Sequence, residues 1–209
     1  MNVDTLLDFI AKPESGGDPN IVWGGIKQKD RPKKPLVTMT IGEVLAWQDS
    51  IDARYQSEAA GAWQIMEDTL RTLPSAAGLT MMDLFSEANQ RKLATVLLRR
   101  RGLDSYLAGT MTAEDFANFL AREWASLPMV SGPKRGRSYY SGDGLNKSHV
   151  SVDAFMAAVR AVKDAPALPP KPVAASPRPD PVTKNLEPVP FFARIIATLV
   201  SIFFSRKGH

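Results

Sequence analysis

Apolar residues at Val3, Leu6, Leu7 and Ile10 fall at i, i+3, i+4 and i+7 and predict a short amphipathic helix that Pro13 ends. Ile21–Trp23 and Leu36–Thr38 are strand-like runs, separated by Gly24-Gly25 and a basic stretch from Lys27 to Lys34, and together predict an irregular β-hairpin. Thr40 followed by Glu43 marks a capping box opening a helix over Ile41–Gln48. Further helices are expected from about Ala62 to Leu73, and from Thr80 or Ser86 to the cationic close Arg99-Arg100-Arg101-Gly102. Thr112 and Asp115 open a helix that buries Phe116, Phe119, Leu120 and Trp124, and Val152–Val162 is the last. The pattern is α+β: mainly helical, with one small hairpin.

The pattern breaks near residue 164. From Ala165 to Pro190 the chain is rich in Pro, Ala, Lys and Val, a composition that excludes helix and central strand and reads as an extended spacer. Beyond it, Arg194, Thr198, Ser201 and Ser205 share one helical face, and Phe192, Ile195, Ile196, Leu199, Ile202 and Phe203 the other. That suits a membrane-active helix over 191–205, lying in the interface or crossing as a short tilted span. A helix docked on the preceding domain is the alternative. The expected division is thus a folded domain at 1–164, a linker at 165–190 and a membrane helix at 191–205.

Composition narrows the chemistry. The chain has 209 residues and no cysteine, so thiol nucleophiles, disulfides and cysteine-bound metals are excluded. Its two histidines, His149 and His209, are too few for a multi-histidine zinc site, and no metal or organic cofactor is expected. The net charge of +4 suits an anionic partner or simple solubility. The basic residues follow no nucleic-acid recognition motif, so no nucleic-acid partner is expected. Met1–Ile10 carries Asp4 and Asp8 and no basic lead-in, which reads as the absence of a secretory signal.

The most informative segment is Leu7-Asp8-Phe9-Ile10-Ala11-Lys12-Pro13-Glu14-Ser15-Gly16-Gly17. It places a carboxyl at the exit of an apolar helix, beside a Ser-Gly-Gly turn. Packed against apolar groups, Glu14 would keep its proton near neutral pH, as a general acid must. An exposed helix end is the plainer alternative. Downstream stand Ser57-Glu58-Ala59-Ala60-Gly61-Ala62-Trp63-Gln64-Ile65-Met66, then Trp124-Ala125-Ser126-Leu127-Pro128, then Ser138-Tyr139-Tyr140-Ser141-Gly142.

In these segments the chain resembles phage endolysins of the lysozyme superfamily, nearest the lambda-type endolytic transglycosylases, over roughly residues 3–162. The Glu14-Ser15-Gly16 and Gly61–Gln64 pair also resembles the soluble lytic transglycosylases. The resemblance implies a lysozyme-like domain that cleaves the MurNAc-GlcNAc β-1,4 bond of peptidoglycan with Glu14 as acid. Gln64 matches a glutamine of the sugar cleft, and Tyr139 or Tyr140 falls where cleft aromatics stand. Ala62-Trp63 replaces the usual Arg-Tyr, and Pro13 before the acid is unusual.

Trp23 is the candidate sugar-facing ring, and Ser57 a further substrate contact. Trp63 and Trp124 are expected in the core, and Gln64 either touches substrate or ties cleft backbone. Lys27–Lys34 is a solvated loop or an attractor for the anionic wall. Hydrolysis needs a second carboxylate, for which Asp18 and Glu58 are the candidates, with Asp30, Asp49 and Asp52 behind them. Transglycosylation needs none. The expected protein is a monomer made in the cytoplasm that acts in the periplasm or at the wall. A non-catalytic wall-binding or structural phage protein with the same fold is the rival reading.

Overall fold

The computed structural model describes residues 3–142 and 146–164. Helix α1 (Val3–Ser15) buries Leu6, Leu7, Ile10 and Ala11, the face its spacing predicts. It does not stop at Pro13 but runs through it by half a turn. Proline there removes one late intrahelical bond, and the chain reverses only at Gly16 and Gly17, both at positive φ. Their amides close onto the Lys12 and Ala11 carbonyls at 2.9 and 3.2 Å. Glu14 therefore rides on the last turn of a helix rather than beyond it.

The expected hairpin is absent: no strand forms among the described residues, only isolated bridges. Leu36–Thr38 is a turn of 3-10 helix, as is Gln28–Asp30. Pro32 and Pro35 break any ladder between the two runs, and the Val37 amide is taken by the Asn20 side chain at 3.1 Å. Residues 21–23 pair instead with 59–61, through Trp23 N–H to the Ala59 carbonyl (3.1 Å) and Gly61 N–H to the Ile21 carbonyl (2.8 Å).

Helix α2 (Ile41–Asp52) opens with the predicted capping box, Thr40 and Glu43 exchanging bonds of 3.1 and 2.7 Å. The helix expected from Ala62 shrinks to α3 (Glu67–Thr72). The preceding residues form a tight turn in which Ala60 and Ile65 exchange both backbone bonds. Helix α4 (Glu87–Arg100), capped by Ser86, runs through the core on Leu93, Ala94, Leu97 and Leu98. The short α5 (Leu103–Leu107), which the sequence pattern did not reveal, leads to α6 (Ala113–Leu120), capped by Thr112. Helix α7 (Val152–Asp164) packs against α1 and α6, with Phe155 stacked on Phe9 at 6.1 Å.

The 165–190 spacer and the helix expected over 191–205 lie outside the described residues. Among the described residues no helix is long and apolar enough to cross a membrane.

Candidate active site

The turn Gly61–Gln64 is held from behind by two buried glutamines. Gln90 accepts from the Ala62 amide (2.9 Å) and donates to the Pro19 and Phe85 carbonyls (2.9 Å each). Gln48 donates to the Glu58 and Ile65 carbonyls at 3.0 and 2.9 Å. Such amides satisfy backbone groups that no regular ladder reaches. Gly61 has φ +77°, and a Cβ there would lie 2.4 Å from Gln90 Oε1, so only glycine fits. Gln64 is the one non-glycine at positive φ (48°) among the described residues, a strained backbone of the kind that clusters at functional sites. Its amide folds back onto the Gly61 carbonyl at 3.0 Å.

Two indoles lock this turn to the rest of the fold. Trp63 Nε1 donates to the Leu7 carbonyl of α1 (3.0 Å), and Trp124 Nε1 donates to the Trp63 carbonyl (3.3 Å). Both rings are buried, as expected, although Trp63 sits in the turn rather than on a helix. The Ser15 hydroxyl completes the junction by donating to the Ala62 carbonyl at 2.7 Å. Helix α1, the turn and the segment after α6 thus meet around one cleft.

That cleft, of about 200 Å³, is lined by Glu14, Trp23, Ser57, Gln64, Glu123 and Asn146 among others. Glu14 is partly buried in its wall. The Ser126 backbone amide (3.1 Å) and hydroxyl (2.5 Å) both donate to Glu14 Oε1, and Oε2 takes neither bond. Burial pushes the Glu14 carboxyl above its ordinary value, against the opposing pull of the two Ser126 bonds and of nearby His149. A carboxyl whose proton is held by desolvation, in the wall of a cleft, can donate that proton to a bound oxygen.

The structure gathers Glu14, Trp23, Ser57 and Gln64 around this space, and the Trp23 ring lies close against Gly25, where a Cβ would meet it at 2.0 Å. It does not bring the other candidates to the lining. Asp18 borders a separate groove, where its carboxylate accepts from the Asn20 amide at 2.8 Å. Glu58 is buried behind the cleft and accepts from the Glu67 amide at 3.2 Å; burial raises its pKa. Tyr140 donates to the Arg122 carbonyl at 2.6 Å, and burial pushes its phenol up to about 12. Tyr139 packs edge-on against it, under the cations of Arg122 and Lys134. Asp30 is turned away into a pair with Tyr55 and Arg54.

Sequence reasoning missed Ser126 as the partner of Glu14, although the Trp-Ala-Ser-Leu-Pro segment was singled out. It also missed Glu123, which lines the cleft with its Oε2 clamped by Arg101 Nε and Nη2 at 2.6 Å. Burial raises the Glu123 pKa and Arg101 opposes the rise. No cluster of three or more His, Cys, Asp or Glu side chains is placed to hold a metal ion among the described residues.

A family model described as Endolysin matches residues 45–154. The match contains the Gly61–Gln64 turn and the Trp124–Leu127 segment, while Glu14 precedes it. No curated protein and no solved structure matches the chain.

Proposed function

Because this chain belongs to the endolysin family, whose members degrade the bacterial wall, we propose that it cleaves the MurNAc-GlcNAc β-1,4 bond with Glu14 as the acid. The supporting observation is the environment of Glu14: a carboxyl raised by burial, fixed through Oε1 by Ser126, in the wall of a cleft that also holds Trp23 and Gln64. The fixed oxygen orients the group, and Oε2 carries the proton.

The proton passes from Oε2 to the glycosidic oxygen as the bond from that oxygen to the muramic C1 breaks, leaving an oxocarbenium-like sugar and a Glu14 carboxylate. In our reading the same carboxylate then takes the proton of the sugar's own 6-hydroxyl, whose oxygen closes on C1 to form a 1,6-anhydro ring. This route needs one carboxylate. It is favoured by the placement of Asp18 in another groove, Glu58 behind the wall and Glu123 in the grip of Arg101. Trp23 offers an indole face to a sugar, Ser57 a hydroxyl and Gln64 an amide.

Glu14→Gln should lower lysis of purified wall by at least about 10²-fold, with the fold intact by circular dichroism. Retention of more than about a tenth of the activity, a barrier change under about 1.4 kcal/mol, would show that another group is the acid. Mass spectrometry of the digest reads the route: anhydro-muramic ends support it, and reducing muramic ends would assign hydrolysis, with Glu123 as the carboxylate to examine. Absence of any clearing in a peptidoglycan zymogram would leave a wall-binding role in its place.

A further inference from the structure

The basic stretch 27–34 between α1 and α2 forms something the cleavage reaction does not use. It carries Lys27, Lys29, Arg31, Lys33 and Lys34 against a single acid, Asp30. That acid is withdrawn from the surface: Tyr55 Oη and Arg54 Nη1 donate to its carboxylate at 2.7 and 2.9 Å, and Trp47 Nε1 donates to its carbonyl at 2.9 Å. The tyrosine and arginine bonds hold the Asp30 carboxyl below the usual range. A loop pinned from inside in this way presents its cations in a fixed arrangement.

Arg31, Lys33 and Lys34 border an open groove of about 510 Å³. Lys34 is already matched by Glu43 at 2.8 Å, and Asp18 at the groove's edge caps the Asn20 amide. Arg31 is aimed by its Nε, which donates to the Ile26 carbonyl at 3.0 Å, and none of the bonds described takes its terminal nitrogens. That fork suits a planar carboxylate. Ile21 and Val22 wall this groove, and Trp23 walls the catalytic cleft. Val22 of the groove and Trp23 of the cleft are neighbours in the chain, their Cα atoms about 3.8 Å apart.

We propose that this groove binds the carboxylate-bearing peptide stem that branches from the muramic acid held in the cleft. The proposal rests on the glycan-cleaving reading above and names the part of the substrate that reading leaves unplaced. A stem is anionic, leaves the sugar sideways, and carries methyl groups that suit Ile21, Pro32 and Pro35 along the wall.

The test compares intact peptidoglycan with the same glycan stripped of stems by an amidase. In an Arg31→Gln/Lys33→Gln variant the ratio of activity on intact to stripped glycan should fall about fivefold, and the single Lys33→Glu change should act in the same direction. Lys92→Gln, an exposed cation on α4, should leave the ratio as it is. Titration of N-acetylmuramyl tetrapeptide into the Glu14→Gln protein should weaken by the same factor on adding the groove changes, and should weaken with salt. An unchanged ratio together with unchanged tetrapeptide affinity would overturn the proposal. So would loss of co-sedimentation with anionic phospholipid vesicles alone, which would assign the groove to a membrane surface. If no form digests either glycan, the cleavage reading fails, and the tetrapeptide titration still decides the groove.

Discussion

In its proposed role Glu14 carries a conflict between stability and use. Its raised pKa means that, above the ordinary carboxyl range and up to the raised value, the folded protein keeps a proton the unfolded chain has released. Folding stability therefore falls as pH rises through that window. Glu14→Gln removes this cost, so the variant should melt above the wild type at neutral pH, and the advantage should vanish below the ordinary carboxyl range. Ser126→Ala takes away a donor that favours the carboxylate, so the Glu14 pKa rises further and the alkaline limb of the pH–activity profile should move to higher pH. A limb that stays in place would show that the Ser126 hydroxyl does not govern this proton. Position 14 stood out in the sequence as a candidate, flanked by an apolar helix and two glycines, only together with the downstream segments that carry the resemblance. Ser126 did not, since it reaches Glu14 across 112 positions and no local pattern records that distance.

Among the elements, the Gly61–Gln64 turn has the most consequence per residue. Gly61→Ala would force a Cβ against Gln90 Oε1 and Phe85 at positive φ, and should cost about 3 kcal/mol by denaturant unfolding, with a larger loss of lytic activity than of secondary structure. Equal activity at equal fold would mean that the turn does not set the cleft. Capping residues predicted the starts of α2, α4 and α6 because a Ser or Thr side chain binds an amide three residues on, wholly within the local sequence. The expected hairpin and the long helix from Ala62 failed for the opposite reason. Their backbone groups at Val37, Ile65 and Ala62 are taken by Asn20, Gln48 and Gln90, side chains remote in the chain. Gln48 and Gln90 did carry a signal: each is a polar residue on the buried face of its helix, and such a residue has a backbone group to satisfy.

At the scale of the molecule, we propose that the tail and the domain divide the work. The amphipathic pattern of 191–205 belongs to the sequence alone, and its proposed role is to bring the enzyme to a membrane. Deleting residues 186–209 should release the protein from membrane pellets while digestion of purified wall continues; sedimentation of the truncated form with membranes would locate the attachment elsewhere.

The folded domain is closed by its first and last described helices, for α1, which bears Glu14, packs on α7, with Phe9 against Phe155. Helix α7 thus braces the helix that carries Glu14, although it lines none of the cleft. Chains stopped at residue 150 should be soluble at best as loosened, inactive forms, testable by translation arrest and zymography. Work at the cleft should therefore depend on a helix that touches no part of it, through the brace it lends to α1.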